Sequence, residues 1–158
     1  MMESKKDNPG VHIPPPLLYV ATFLLAVLFQ RLMQFDREFF YTTTSKIVGS
    51  FIVVVGLFFS FPALRQFLKT KNTLVTIKSA SSLQTTGIYS VSRNPMYLSL
   101  LLMYTGLAFL IGNWWTIILL PLLFLVVQEY VIKHEEKYLG RRFGQEYLNY
   151  KLGVRRWL

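Results

Sequence analysis

Residues 96–128, MYLSLLLMYTGLAFLIGNWWTIILLPLLFLVVQ, decide how this chain is built. Two uncharged apolar runs, Met96 to Ile111 and Trp114 to Gln128, are separated by Gly112 and Asn113 alone. A link that short between helices allows only a tight antiparallel hairpin. The pair Trp114-Trp115 suits the far membrane interface. Whatever precedes Met96 must then lie beside whatever follows Gln128. Two polar clusters occupy those places. One is Thr86-Gly87-Ile88-Tyr89-Ser90-Val91-Ser92-Arg93-Asn94-Pro95-Met96-Tyr97, and the other runs from Glu129 to His134-Glu135-Glu136.

Two more apolar runs precede the hairpin. Leu17 to Phe29 is uncharged and continues past Arg31 to Phe35, and Ile47 to Leu64 is uncharged throughout. A helix needs roughly 20 mostly apolar residues to cross a bilayer. The run from Ile47 nearly meets that alone, and the others reach it with flanking residues. Lipid offers backbone polar groups no partner outside the helix. The pattern therefore predicts an all-α polytopic membrane protein with four transmembrane helices, a helix 3–helix 4 hairpin and a cytoplasmic C-terminal amphipathic tail. One domain is expected over residues 1–158: a mobile N-terminus at 1–13, two spans within 14–68, a cytoplasmic loop at 69–95, the hairpin at 96–139 and the tail at 140–158.

Finer boundaries follow from local signals. The first helix is expected over 14–35, entered through Pro14-Pro15-Pro16. It lacks a small-residue cleavage site, so it is read as a span and not as a signal peptide. A short link over 36–45, mixed in charge, leads to a helix at 46–68, with a kink at Pro62. Thr73 to Ile77 alternates weakly, like a short strand. The third helix starts near Pro95. The fourth runs on to Leu139-Gly140, with Gly140 as its stop. A last helix at 144–151 would place Phe143, Tyr147 and Tyr150 on one face.

The formal net charge is +9. Arg65, Lys69, Lys71, Lys78 and Arg93 lie between the second and third runs with no acid among them. The tail carries Lys133, Lys137, Arg141, Arg142, Lys151, Arg155 and Arg156. The positive-inside rule puts both segments in the cytoplasm, and an even number of spans places the N-terminus there too. Topology thus accounts for the basic excess, and no nucleic-acid partner is expected. The absence of cysteine excludes disulfides, thiolate metal sites and a cysteine nucleophile. His12 and His134 are far apart in sequence, so no metal site is expected.

Each polar candidate has two readings. Glu129 sits among Val126, Val127, Tyr130, Val131 and Ile132, where an ionisable group is costly unless it is used. It is otherwise an interfacial glutamate paired with Lys133 at i+4. Glu135 and Glu136 either bind ligand hydroxyls or an ammonium group, or lie on a solvated helix. Arg93 either holds a carboxylate in bidentate fashion or snorkels to the interface. Tyr89, Tyr97, Tyr147 and Tyr150 either face a ligand or pack at the interface.

The order of these residues resembles the isoprenylcysteine carboxyl methyltransferase family, whose wider group includes the phospholipid N-methyltransferases. The run Thr86-Gly87-Ile88-Tyr89, then Arg93-Asn94-Pro95-Met96-Tyr97-Leu98, a hairpin, His134-Glu135-Glu136, Phe143-Gly144, Tyr147, Tyr150 and Arg155 carries the likeness, over about residues 73–157. It is similar to a short prokaryotic type. Asn94 departs from the family's usual histidine and cannot titrate. The resemblance implies an S-adenosylmethionine-dependent methyltransferase. Its cofactor would lie against Tyr89, Arg93, Asn94, Pro95, Tyr97, Glu135, Glu136, Tyr147 and Tyr150, with Arg155 or Arg156 reaching the site. Arg93 and Glu129 would be the catalytic residues, Glu129 as base for an amine acceptor. The expected partners are the bilayer and a lipid-like or prenylated acceptor, such as a prenylcysteine carboxylate. A phospholipid headgroup amine is the alternative acceptor. A non-enzymatic transporter subunit or assembly factor is the competing class. The expected location is a prokaryotic inner (cytoplasmic) membrane with both termini in the cytoplasm.

Overall fold

The structure, a computed structural model, describes residues 8–69 and 82–158. The strand expected at Thr73 to Ile77, the first seven residues of the expected mobile terminus and half of the expected 69–95 loop lie outside the described residues. Among the described residues the chain is entirely helical. Helix α1 spans Pro15–Leu32, a short α2 Glu38–Tyr41 and α3 Thr43–Lys69. A 3-10 turn at Gly87–Ser90 precedes α4, Pro95–Ile111. Helix α5, Trp114–Val126, passes through a π-helical turn at Val127–Ile132 into α6, Lys133–Phe143. Helix α7, Gln145–Gly153, ends the fold.

The hairpin forms as its sequence dictates. Gly112 takes φ 73°, the left-handed geometry that closes α4, and its N–H donates to the Ala108 carbonyl. Asn113 then caps α5 by accepting from the Thr116 N–H at 3.3 Å. Beyond it, the two indoles grip the link between α1 and α3. Trp114 donates to the Asp36 carbonyl at 2.8 Å and Trp115 to the Met33 carbonyl at 2.9 Å. Phe39 and Phe40 pack on Trp114 and are backed by Phe109, and Phe29 and Phe35 gather around Trp115.

Helices α3 and α4 make the most extensive contact in the fold. Glycines let their backbones meet. A Cβ on Gly106 would lie 2.6 Å from Val53 Cγ2 and 2.8 Å from the Gly49 carbonyl oxygen. One on Gly49 would lie 2.8 Å from Phe109 Cβ. Such close approach is how helices associate in lipid, which supplies no hydrophobic drive between them. On the other side α1 packs on α5, around a core of Tyr19, Leu101, Tyr104, Leu123, Val127 and Ile132. Phe51, Phe58 and Phe61 on α3 stay largely exposed, a surface suited to lipid.

Three of the four expected spans have a helix long enough to cross a membrane, and several finer boundaries differ from expectation. Three helical stretches are long and apolar enough to cross a membrane: Pro15–Leu32, Thr43–Gln66 and Trp114–Phe143. Helix α4 is apolar but shorter, with 17 residues. Helix α1 ends at Leu32 and not at 35, because Met33 leaves helical geometry. The link to α3, expected to be short and mixed in charge, also contains the short helix α2. Gly140 does not stop the fourth helix; it continues to Phe143, and Gly144 makes the break with φ 53°. Within the N-terminal segment, residues 8–13 contact the bundle. Val11 is buried, and the His12 N–H donates to the Tyr130 hydroxyl at 3.1 Å.

Candidate functional site

Pro95 opens α4, where its missing N–H costs nothing, so the helix can begin directly after Arg93-Asn94. The hairpin then returns α6 to the same end. Arg93 Nη1 lies 3.1 Å from Glu136 Oε1, and the Tyr97 hydroxyl donates to Glu135 Oε1 at 2.5 Å. The two polar clusters of the sequence thus meet in one place.

Glu136 is the centre of the cluster. Arg156 grips it in bidentate fashion, with Nε donating to Oε1 at 2.9 Å and Nη2 to Oε2 at 2.8 Å. Lys151 Nζ stands 4.0 Å from Oε2. The Arg93 and Glu136 side chains are 9 % and 11 % exposed, so this is a largely desolvated network. One carboxylate faces two guanidinium groups and an ammonium, which leaves a local excess of positive charge. Arg93 also donates to the Tyr147 hydroxyl at 3.4 Å, while its Nε is buried with no hydrogen-bond partner among the described residues.

Helix α7 closes over this network. Tyr147 is buried, and the Tyr150 hydroxyl donates to the Tyr89 carbonyl at 2.6 Å. Gly144 provides the reversal that brings α7 back over α6. Burial pushes the Tyr150 phenol up to about 12. Burial also raises Tyr147, helped by the Glu136 carboxylate, and raises Tyr89, helped by Glu135. The hydrogen bond to Glu136 holds Arg156 above its ordinary value. The phenols are therefore neutral donors at neutral pH and Arg156 is a fixed cation.

The last residues form a strap across the start of α4. The Arg93 N–H donates to the Arg155 carbonyl at 3.0 Å, and Asn94 Nδ2 to the Arg156 carbonyl at 2.9 Å. Asn94 stands at the N-cap position of α4 without capping it with its side chain, which is spent on the strap. At the position where the resemblance would place an imidazole, an amide thus holds backbone.

The structure brings Tyr89, Arg93, Asn94, Pro95, Tyr97, Glu135, Glu136, Tyr147 and Tyr150 into this one region. It does not bring Glu129 into the ion-pair network. Glu129 lies in the π turn, half exposed, paired with Lys133 at i+4. Of the two tail arginines, Arg156 enters the cluster with its side chain and Arg155 contributes its carbonyl. Lys151, Gln128 and Trp157 were not singled out by sequence. Lys151 lies in α7, four residues after the flagged Tyr147, and that spacing was the available signal. The π turn around Gln128 has no periodic signature.

An uncharacterized protein of Haemophilus influenzae is 43 % identical over 63 residues, which is 40 % of this chain and the whole of that protein. No solved structure matches the chain. Residues 44–146 match the family described as phospholipid methyltransferase, covering α3, α4, α5 and α6, and the chain belongs to that family.

Proposed function

We propose that this protein transfers a methyl group from S-adenosylmethionine to a lipid-like acceptor held in the membrane, at its cytoplasmic face. Membership of the phospholipid methyltransferase family implies methyltransferase activity in a membrane. The observation that carries the finer reading is the Arg93–Glu136–Arg156 network, roofed by Tyr147 and Tyr150 at the end of the hairpin. Its excess of cations suits the carboxylate of an amino-acid moiety, and the unsatisfied Arg93 Nε is a buried donor that a bound acceptor atom would satisfy. Glu135, already turned toward Tyr97, is placed to accept from ribose hydroxyls. The residues present therefore fit the cofactor.

When bound, the cofactor supplies a methyl group on a sulfonium already activated for displacement. What the chain adds is alignment and exclusion of water. Arg93 orients one end of the ligand, and Tyr147 and Tyr150 cover it. The three carboxylates nearby are all engaged: Glu136 by Arg93 and Arg156, Glu135 by Tyr97, and Glu129 by Lys133. That favours an acceptor that arrives already deprotonated, such as a prenylcysteine-type carboxylate. The phospholipid headgroup amine, suggested by the family's description, requires a base, and Glu129 is the carboxylate to which that role would fall.

Helix α4 is read as a fourth crossing. Its start touches the Glu136 end of the bundle and its end touches Phe40 at the opposite one. The expected setting is a prokaryotic inner membrane, with the whole chain acting as one membrane domain.

The test is a thermal shift. S-adenosylhomocysteine at about a hundred times its Kd should stabilise the purified protein by about 2.7 kcal/mol. Arg93→Lys should abolish the shift while leaving a folded protein. A parent protein with no shift at millimolar ligand would refute the cofactor assignment. Label from the methyl-labelled cofactor should then appear in extracted lipid, as a base-labile ester for a carboxylate acceptor and a base-stable amine for a headgroup.

A further inference from the structure

The end of the strap is fastened to the π turn. The Trp157 indole N–H donates to Gln128 Oε1 at 3.3 Å, and its ring lies 5.2 Å from Phe124, tilted by 31°. Gln128 is the second residue of the π turn Val127–Ile132. A π turn inserts one residue into the helical ladder and re-aims the side chains around it, a feature common at functional sites. Adjacent to Trp157, Arg156 makes the bidentate contact with Glu136 and offers its carbonyl to Asn94. The tie here is made one residue from the guanidinium that neutralises Glu136.

We propose that Trp157 is a positioning residue: clipped to Gln128 and seated on Phe124, it delivers Arg156 to Glu136, and this clip sets the affinity of the cluster for its cofactor. The inference rests on the methyltransferase reading. Without the clip, the strap end is free to leave and Arg156 with it. Glu136 then has Arg93 and the more distant Lys151 as its cations. Its charge draws Arg93 toward itself and away from the ligand. The indole N–H matters as well as the ring. A residue serving only as an apolar anchor would be replaced by phenylalanine without loss, because the seat on Phe124 would survive.

The full chain contains no cysteine, so Leu158→Cys, at an exposed position, accepts a single nitroxide label. The label should report a restrained strap, and adding Gln128→Ala should make it mobile. In the unlabelled protein, Trp157→Phe and Gln128→Ala should each weaken S-adenosylhomocysteine binding about fivefold to tenfold, the worth of one hydrogen bond. The double variant should lose no more than either single one, and the ligand-free melting temperatures should stay close to the parent's. Equal label mobility with and without Gln128, unchanged affinity in both variants, or losses that multiply would each overturn the clip. If the parent itself binds no S-adenosylhomocysteine, the methyltransferase reading falls and the affinity claim falls with it. A binding parent with unaffected variants refutes the clip alone.

Discussion

Arg93 stands immediately before a helix N-terminus, where the aligned backbone dipoles disfavour a cation. Glu136 offsets that cost and serves Arg156 at the same time, so one carboxylate stabilises two largely buried positive charges. Removing it leaves both uncompensated. Glu136→Ala should therefore destabilise the protein by roughly 3–5 kcal/mol, the usual consequence of breaking a buried pair from one side. Glu136→Gln keeps the shape and should lose ligand binding with a smaller loss of stability. Glu129 is the contrasting case. It shares its charge with Lys133 in water, so Glu129→Gln should leave melting temperature and methyl transfer to a carboxylate acceptor unchanged. A large loss of turnover in Glu129→Gln, measured with an amine acceptor, would instead favour the headgroup reading. The sequence marks Glu129 as a charge within apolar residues and Glu136 as a candidate ligand contact on a polar helix. It cannot say which of them meets Arg93, because Glu129 lies in a π turn, just before α6, that no periodicity announces.

At the scale of elements, legibility followed the physics of each signal. The hairpin was readable because two residues alone separate two apolar runs; the structure adds that Gly112 takes the left-handed position and Asn113 the N-cap. The limits of α1 and the presence of α2 were not, because they depend on distant indoles binding the carbonyls of Met33 and Asp36. Gly140 misled for a related reason. A glycine near a helix end suggests a stop, but only Gly144 takes the positive φ that makes one. The pairing of α3 with α4 through Gly49, Gly56 and Gly106 also escaped notice, since seven-residue spacing in one helix has no meaning until its partner is known. That seam yields a sharp expectation. Gly106→Ala places a methyl group 3.0 Å or less from Val53 and the Gly49 backbone, and should cost about 1–3 kcal/mol by forcing the helices apart. Gly153→Ala, with nothing within 4 Å, should be neutral or slightly stabilising. Comparing the two melting temperatures checks the seam; equal values would mean that α3 and α4 do not approach this closely in the membrane.

For the whole molecule, the decisive quantity is sidedness. The cluster lies at one end of the bundle with α7 and the N-terminal segment, since His12 is tied to Tyr130 at that end. The aromatic grip of Trp114 and Trp115 on the α1–α3 link lies at the other. The basic residues Arg93, Lys137, Arg141, Arg142, Lys151, Arg155 and Arg156 collect on the cluster side, which the positive-inside rule assigns to the cytoplasm. Helix α4 has 17 residues, about 26 Å of helix, against a hydrocarbon core of about 30 Å. The shortfall is small enough for flanking residues and local thinning of the bilayer to absorb. The proposed four crossings put residues 13 and 152 on one side, and the cysteine-free sequence makes this testable with single substitutions. Ile13→Cys and Leu152→Cys should react with an impermeant maleimide only when the cytoplasmic face is open, and Phe35→Cys only from outside. All three positions are exposed, so access across the bilayer decides the result. If Phe35→Cys labelled from the same side as Leu152→Cys, the first helix would not cross. If Leu152→Cys labelled from outside, the site would face away from any cytoplasmic cofactor pool. The second pattern would remove the physical basis for S-adenosylmethionine entering at Arg93 and Glu136, however well those residues are arranged.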